Sequence, residues 1–112
     1  MTDLVTQLEL IKNELRNSMN RLRKNGELLA QAEHDYQVIK AQTVMIMKDA
    51  GCTITEINMS IKGQPQVAEA LLERDKAKVM YEANQEHINV VKLEMRVLEN
   101  QIAREWHNVQ IN

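Results

Sequence analysis

The sequence predicts an all-α fold: an antiparallel hairpin of two long helices, coiled-coil-like, with a short capping helix at the tip and dimeric association into a bundle. Three observations carry that expectation. Apolar residues recur at alternating steps of three and four from Leu8 to Ile46 and again from Val67 to Val109, the spacing of a helix–helix seam. Leu, Glu, Lys, Gln, Arg and Ala dominate, all good helix formers, against three Gly and one Pro. Aromatics make up only 3% and Phe is absent, so aliphatic side chains must do the burying.

The first helix is expected over about residues 3–50. Asp3 (or Thr2) can cap it, since a short side-chain oxygen satisfies an orphan amide. Its seam runs Leu8, Ile11, Leu15, Ser18, Leu22, Asn25, Leu29, Ala32, Tyr36, Ile39, Thr43, Ile46. Asn25-Gly26 is a turn-forming pair, yet the three-four phase agrees on both sides of it. That agreement predicts one helix roughly 65–70 Å long with a weak point at Gly26, rather than two shorter helices broken there.

Gly51 is a stop, because glycine accepts the left-handed conformation without steric cost. Thr53-Ile54-Thr55-Glu56 fits the reciprocal capping box of a new helix, expected over about 54–62. In it Ile54, Ile57 and Ile61 share a face, and Lys62-Gly63 ends it. Pro65 sits in the first turn of a third helix, where its missing N–H costs nothing. That helix is expected over about 65–110. The short connection makes the long helices antiparallel neighbours, all within one domain, 1–112. Paired positions should sum to about 113, setting Leu15 near Leu98, Leu22 near Val91 and Ile46 near Val67. Asn25 and Asn84 would then lie within about one turn of each other inside the seam, and a buried amide pair of this kind is expected to fix its register.

The third helix carries two apolar stripes. Val67, Ala70, Ala77, Tyr81, Ile88, Val91, Met95, Leu98, Ile102 and Val109 form one, with Arg74, Asn84 and Glu105 interrupting it. Leu72, Val79, Ala83, Val90, Leu93 and Val97 form the other, broken by Lys76 and Glu86. A helix with one covered face needs one stripe, so two imply partners on both sides. Leu72, Val79, Val90, Leu93 and Val97 are therefore the expected association stripe, with a second copy as the favoured partner. Finding Leu93 and its companions facing water in a lone molecule would remove that argument.

The tip is apolar on every side over Val44, Met45, Ile46 and Met47. A local core under the capping helix is the first explanation. Met45, Met47 and Met59 are also candidates for a partner surface, since Met adapts its shape to varied partners. Trp106 is expected against Leu4 or Leu8, with binding as its sharper alternative.

No catalytic or metal chemistry is legible. A di-iron site needs Glu-x-x-His, but Gln31, Asn84 and Arg104 stand three residues before His34, His87 and His107. The chain has no Cys-x-x-Cys, glycine-rich phosphate loop or nucleophile elbow. Cys52 is the sole cysteine, so no internal disulfide forms. No cofactor is expected. No apolar run approaches the ~20 residues of a membrane span, and the N-terminus lacks a signal-peptide pattern, so no membrane association and a cytoplasmic location are expected. A net charge of −2 gives no strong pull toward polyanions. Even so, Lys12, Arg16, Arg21, Arg23 and Lys24 crowd the first 24 residues and could contact phosphates.

The segment GCTITEINMSIK (Gly51–Lys62) and the run AKVMYEANQEHINVVKLEMRVLENQIAREW (Ala77–Trp106) resemble small uncharacterised helical proteins of Gram-positive phages and prophages. The resemblance spans Tyr36 to Trp106 and implies a phage protein acting in the host cytoplasm, among genes for DNA replication, recombination or host takeover. It implies no catalytic or ligand residues. The expected function is therefore a non-enzymatic interaction protein that self-associates and binds a host or phage protein. The alternative is a nucleic-acid-binding recombination or replication accessory protein that uses the basic N-terminal helix.

Overall fold

A computed structural model describes the backbone over residues 2–111 and side chains over residues 3–109. Helix α1 spans Thr2–Asp49, α2 spans Ile54–Ser60 and runs into a 3-10 turn over Ile61–Gly63, and α3 spans Pro65–Ile111. No strand occurs among the described residues. The long helices α1 and α3 pack as an antiparallel hairpin.

Each boundary has a local cause. Gly51, at φ 89°, lets its own N–H reach Lys48 O and the Cys52 N–H reach Met47 O, both at 3.0 Å. These two bonds make a Schellman stop that satisfies orphan carbonyls of α1. Thr53 Oγ1 accepts from the Glu56 N–H at 3.2 Å while the Thr53 N–H donates to Glu56 Oε2 at 3.2 Å, the reciprocal box that starts α2. Pro65 opens α3. At the other end α1 already includes Thr2, so Asp3 lies in its first turn and acts on the helix dipole rather than as the cap. The Thr2 side chain lies outside the described residues.

The helix α1 is unbroken through Asn25-Gly26. A Cβ built on Gly26 would stand 3.4 Å from Tyr81 Cε2, an ordinary van der Waals approach, so the facing ring does not demand a glycine there. It makes no turn.

Packing divides into two compact units, residues 25–81 and residues 1–24 with 82–112. In the first, Tyr36, Ile57, Ile61, Val67 and Ala70 form a buried core, with Ile39, Val44, Met47, Cys52 and Leu71 packed against it. The capping helix thus folds onto the hairpin end through Ile57 and Ile61. Ile54, in its first turn, stays 71% exposed, and Ile46 is also exposed, so neither joins the face expected of it. Buried Thr43 donates to Ile39 O at 2.8 Å and accepts from Gln66 Nε2 at 3.4 Å.

In the second unit Ser18, Asn84, Ile88, Val91 and Leu98 are buried. Asn84 Nδ2 donates to Ser18 O at 3.1 Å and to Ser18 Oγ at 3.0 Å. No described side-chain polar atom is buried without a hydrogen-bond partner.

The register differs from the expected one. Ser18 with Asn84 and Glu14 with His87 have numbers summing to 102 and 101, and Thr43 with Gln66 to 109, not 113. The buried amide Asn84 bonds Ser18 of the facing helix. A slide of four or eleven residues is about one or three helical turns, so either keeps the apolar face inward. Periodicity alone cannot choose among such slides.

Candidate functional site

The seam positions of α3 are buried or half-buried from Val67 to Glu105, while Val109 is 64% exposed. The second stripe is not covered. Leu72 and Val79 are 53% and 64% exposed, and Val90, Leu93 and Val97 are 42%, 57% and 63% exposed. Within the chain, therefore, nothing packs on this stripe of α3. One stripe of α3 packs on α1 and the other is left open.

Part of the open stripe borders a concave surface, invisible to periodicity. In the unit of residues 1–24 and 82–112, Val90, Leu93, Val97 and Leu98 of α3 line an apolar groove with Ile11 and Gln7 of α1, about 450 Å³ in volume. Gln101 and Glu94 complete its polar edge. Three residues of the stripe thus form the wall of a groove whose α1 side is Ile11.

The unit of residues 25–81 has a larger groove, about 660 Å³. Ala32 and Ile39 of α1 and Ala70 and Ala77 of α3 contribute small or half-buried apolar side chains, and Leu28 and Met80 stand exposed beside them. Alanines at seam positions leave the space open, because nothing longer fills it. The sequence signal was present: Ala32, Ala70 and Ala77 are the short members of two otherwise bulky seams.

Among the tip and end residues, Met45 and Met59 are 59% and 84% exposed. Met47 is half-buried against the core, so it packs inward rather than offering a partner surface. Trp106 is 55% exposed instead of covering the end of α1.

Lys12, Arg16, Arg21, Arg23 and Lys24 are all exposed, but two of them face carboxylates. Arg21 bonds Glu14 at 3.1 Å, and Lys12 lies 3.9 Å from Glu9. His87 Nε2 also lies 3.0 Å from the same Glu14 Oε1. The hydrogen bonds from His87 and then Arg21 hold the Glu14 carboxyl below the ordinary carboxylate range. In the other unit Arg74 lies over the buried Tyr36 ring at 4.9 Å, 3.5 Å from Glu33 and 3.0 Å from Asp75.

Among the described residues no three His, Cys, Asp or Glu side chains are grouped to hold a metal ion, and no helix is long and apolar enough to cross a membrane. Comparison with protein-family models, curated proteins and solved structures returns no match.

Proposed function

We propose that this protein is a non-enzymatic, phage-type helical interaction protein that self-associates and binds a host or phage protein in the host cytoplasm. One observation carries the reading: Val90, Leu93 and Val97 stand exposed in a row along a groove completed by Ile11 and Leu98. Contiguous exposed apolar surface of this kind marks sites of association. The occupant of this groove is a second copy of the chain. Residues 1–24 and 82–112 hold eight acidic residues and eight Lys and Arg, so no net charge opposes the approach of an identical surface. The phage-type role rests on the resemblance of Gly51–Lys62 and Ala77–Trp106 described above.

Light scattering across a wide concentration range tests the reading. A dimer mass is expected, reverting to monomer when Val90 and Leu93 are changed to Lys. A monomer at every concentration ends the claim of self-association. Phosphate binding through Lys12, Arg16, Arg21, Arg23 and Lys24 is the competing reading, weakened by the pairing of Lys12 and Arg21 with glutamates. An electrophoretic shift at low salt, abolished by Arg16→Glu with Arg23→Glu, would favour it instead.

A further inference from the structure

We propose that the alanine-lined groove of residues 25–81 is a docking site for an amphipathic helix with basic flanks, supplied by a partner protein. This site shares no residue with the Val90–Val97 groove and does not depend on self-association.

Three features of the groove specify the occupant. Its apolar interior is Ala32, Ile39, Ala70 and Ala77, and short side chains let a helix approach closely enough for its own larger residues to fill the space. The volume, about 660 Å³, is of the size that takes up several side chains. Leu28 at 60% and Met80 at 58% exposure are bulky apolar residues left in water beside the opening, and Met reshapes readily around an incoming side chain.

Charge then chooses between partners. Asp35, Glu69 and Glu73 line the groove against a single cation, Lys76. The Lys76 ammonium already lies 3.5 Å from Glu73, which leaves Asp35 and Glu69 as net negative charge. The unit as a whole holds eight acidic residues against six Lys and Arg. A helix with Leu at helical spacing on one side and Lys or Arg flanking that side matches both the interior and the edge. A helix with acidic flanks would set like charges together as water is displaced.

The test uses the full-length protein and a fluorescein-labelled 18-residue probe peptide, with leucines at i, i+3, i+4 and i+7 spacing flanked by lysines. Two control peptides share its length: one with the same residues scrambled so that the leucines lose a common face, and one with glutamates for lysines. Fluorescence polarisation at low salt should show binding of the probe, with both controls at least tenfold weaker. Leu28→Lys with Met80→Lys should weaken probe binding at least tenfold, as should Asp35→Lys with Glu69→Lys. All four positions are exposed, so the variants should keep the helical circular dichroism of the parent. Val90→Lys with Leu93→Lys should leave probe binding unchanged even where it abolishes a dimer, which separates this site from the self-association surface. The proposal is overturned if the scrambled peptide binds as well as the probe, or if the probe does not bind. It is equally overturned if the changes at Leu28 and Met80 leave affinity intact, or if they dissolve a dimer, since the occupant would then be a second copy.

Discussion

The Asn84 side chain reaches across the helix pair to donate to Ser18 Oγ at 3.0 Å and to the Ser18 carbonyl at 3.1 Å. Ser18 is completely buried and Asn84 only 8% exposed. A polar pair held away from water gains little in net stability over an apolar one but penalises every slide that would separate its members. It is the residue-level reason that the seam of this unit settles where it does.

That relationship sets the first prediction. Asn84→Ala leaves the Ser18 oxygens without this donor and should destabilise the fold by about 1–3 kcal/mol. Adding Ser18→Ala to Asn84→Leu removes both polar groups and should recover most of the loss. Urea denaturation of the three proteins measures it; a double variant no more stable than Asn84→Ala would argue that the pair contributes by packing.

Gly26 offers a gain. A methyl group there meets Tyr81 Cε2 at 3.4 Å, an ordinary van der Waals approach, and alanine is favoured over glycine inside a helix by about 1 kcal/mol. Gly26→Ala should raise the melting temperature by roughly 4 °C. A fall on thermal circular dichroism would mean that the ring needs the bare backbone.

Arg74 occupies a seam position because its planar group lies on Tyr36 while reaching Glu33 and Asp75. Lysine keeps the charge but not the flat surface, so Arg74→Lys should lower the denaturation midpoint. Arg74→Ala should cost more, because the aliphatic stem also covers apolar surface. Equal losses in chemical denaturation would show that stacking contributes nothing.

Acid should act through Glu14. Its carboxyl is held low in the folded chain by His87 and Arg21, so its contribution is present above the unfolded-state value and fades as pH falls through the folded one. Side-chain NMR should place its midpoint below that of an ordinary glutamate, and His87→Ala should move it upward. Glu14→Gln should flatten the loss of melting temperature between about pH 5 and 3. Because the pair is almost half exposed, salt should diminish the effect.

The helix ends could be read from the sequence because each carries its own local signal: Gly51 for the left-handed stop, Thr53 with Glu56 for the box, Pro65 for the first turn. The inward face of both helices was equally plain from the three-four steps, Ser18 and Thr43 included. Register was not, since a seam of Leu, Ile and Val accepts slides by whole turns, and the partner of Asn84 is known only once the facing helix is placed. Trp106 shows the same limit, because bulk predicts burial only where the register brings a neighbour over it. The grooves were hidden for a different reason. The short seam residues Ala32, Ala70 and Ala77 mark where space can open, but which of them face one another is a property of the pair that neither helix carries by itself.

The core under the capping helix joins Tyr36, Ile57, Ile61, Val67 and Ala70, all drawn from one continuous stretch around the turn. Closing that stretch loses less chain entropy than bringing Ser18 to Asn84, by about 0.6 kcal/mol for a twofold shorter loop, so chain collapse should begin at the turn and zip outward toward the termini. Amide exchange slowest around Val67 and fastest near Leu4 would follow. A cut in the loop at Gly51 would then slow refolding far more than removal of the last few residues.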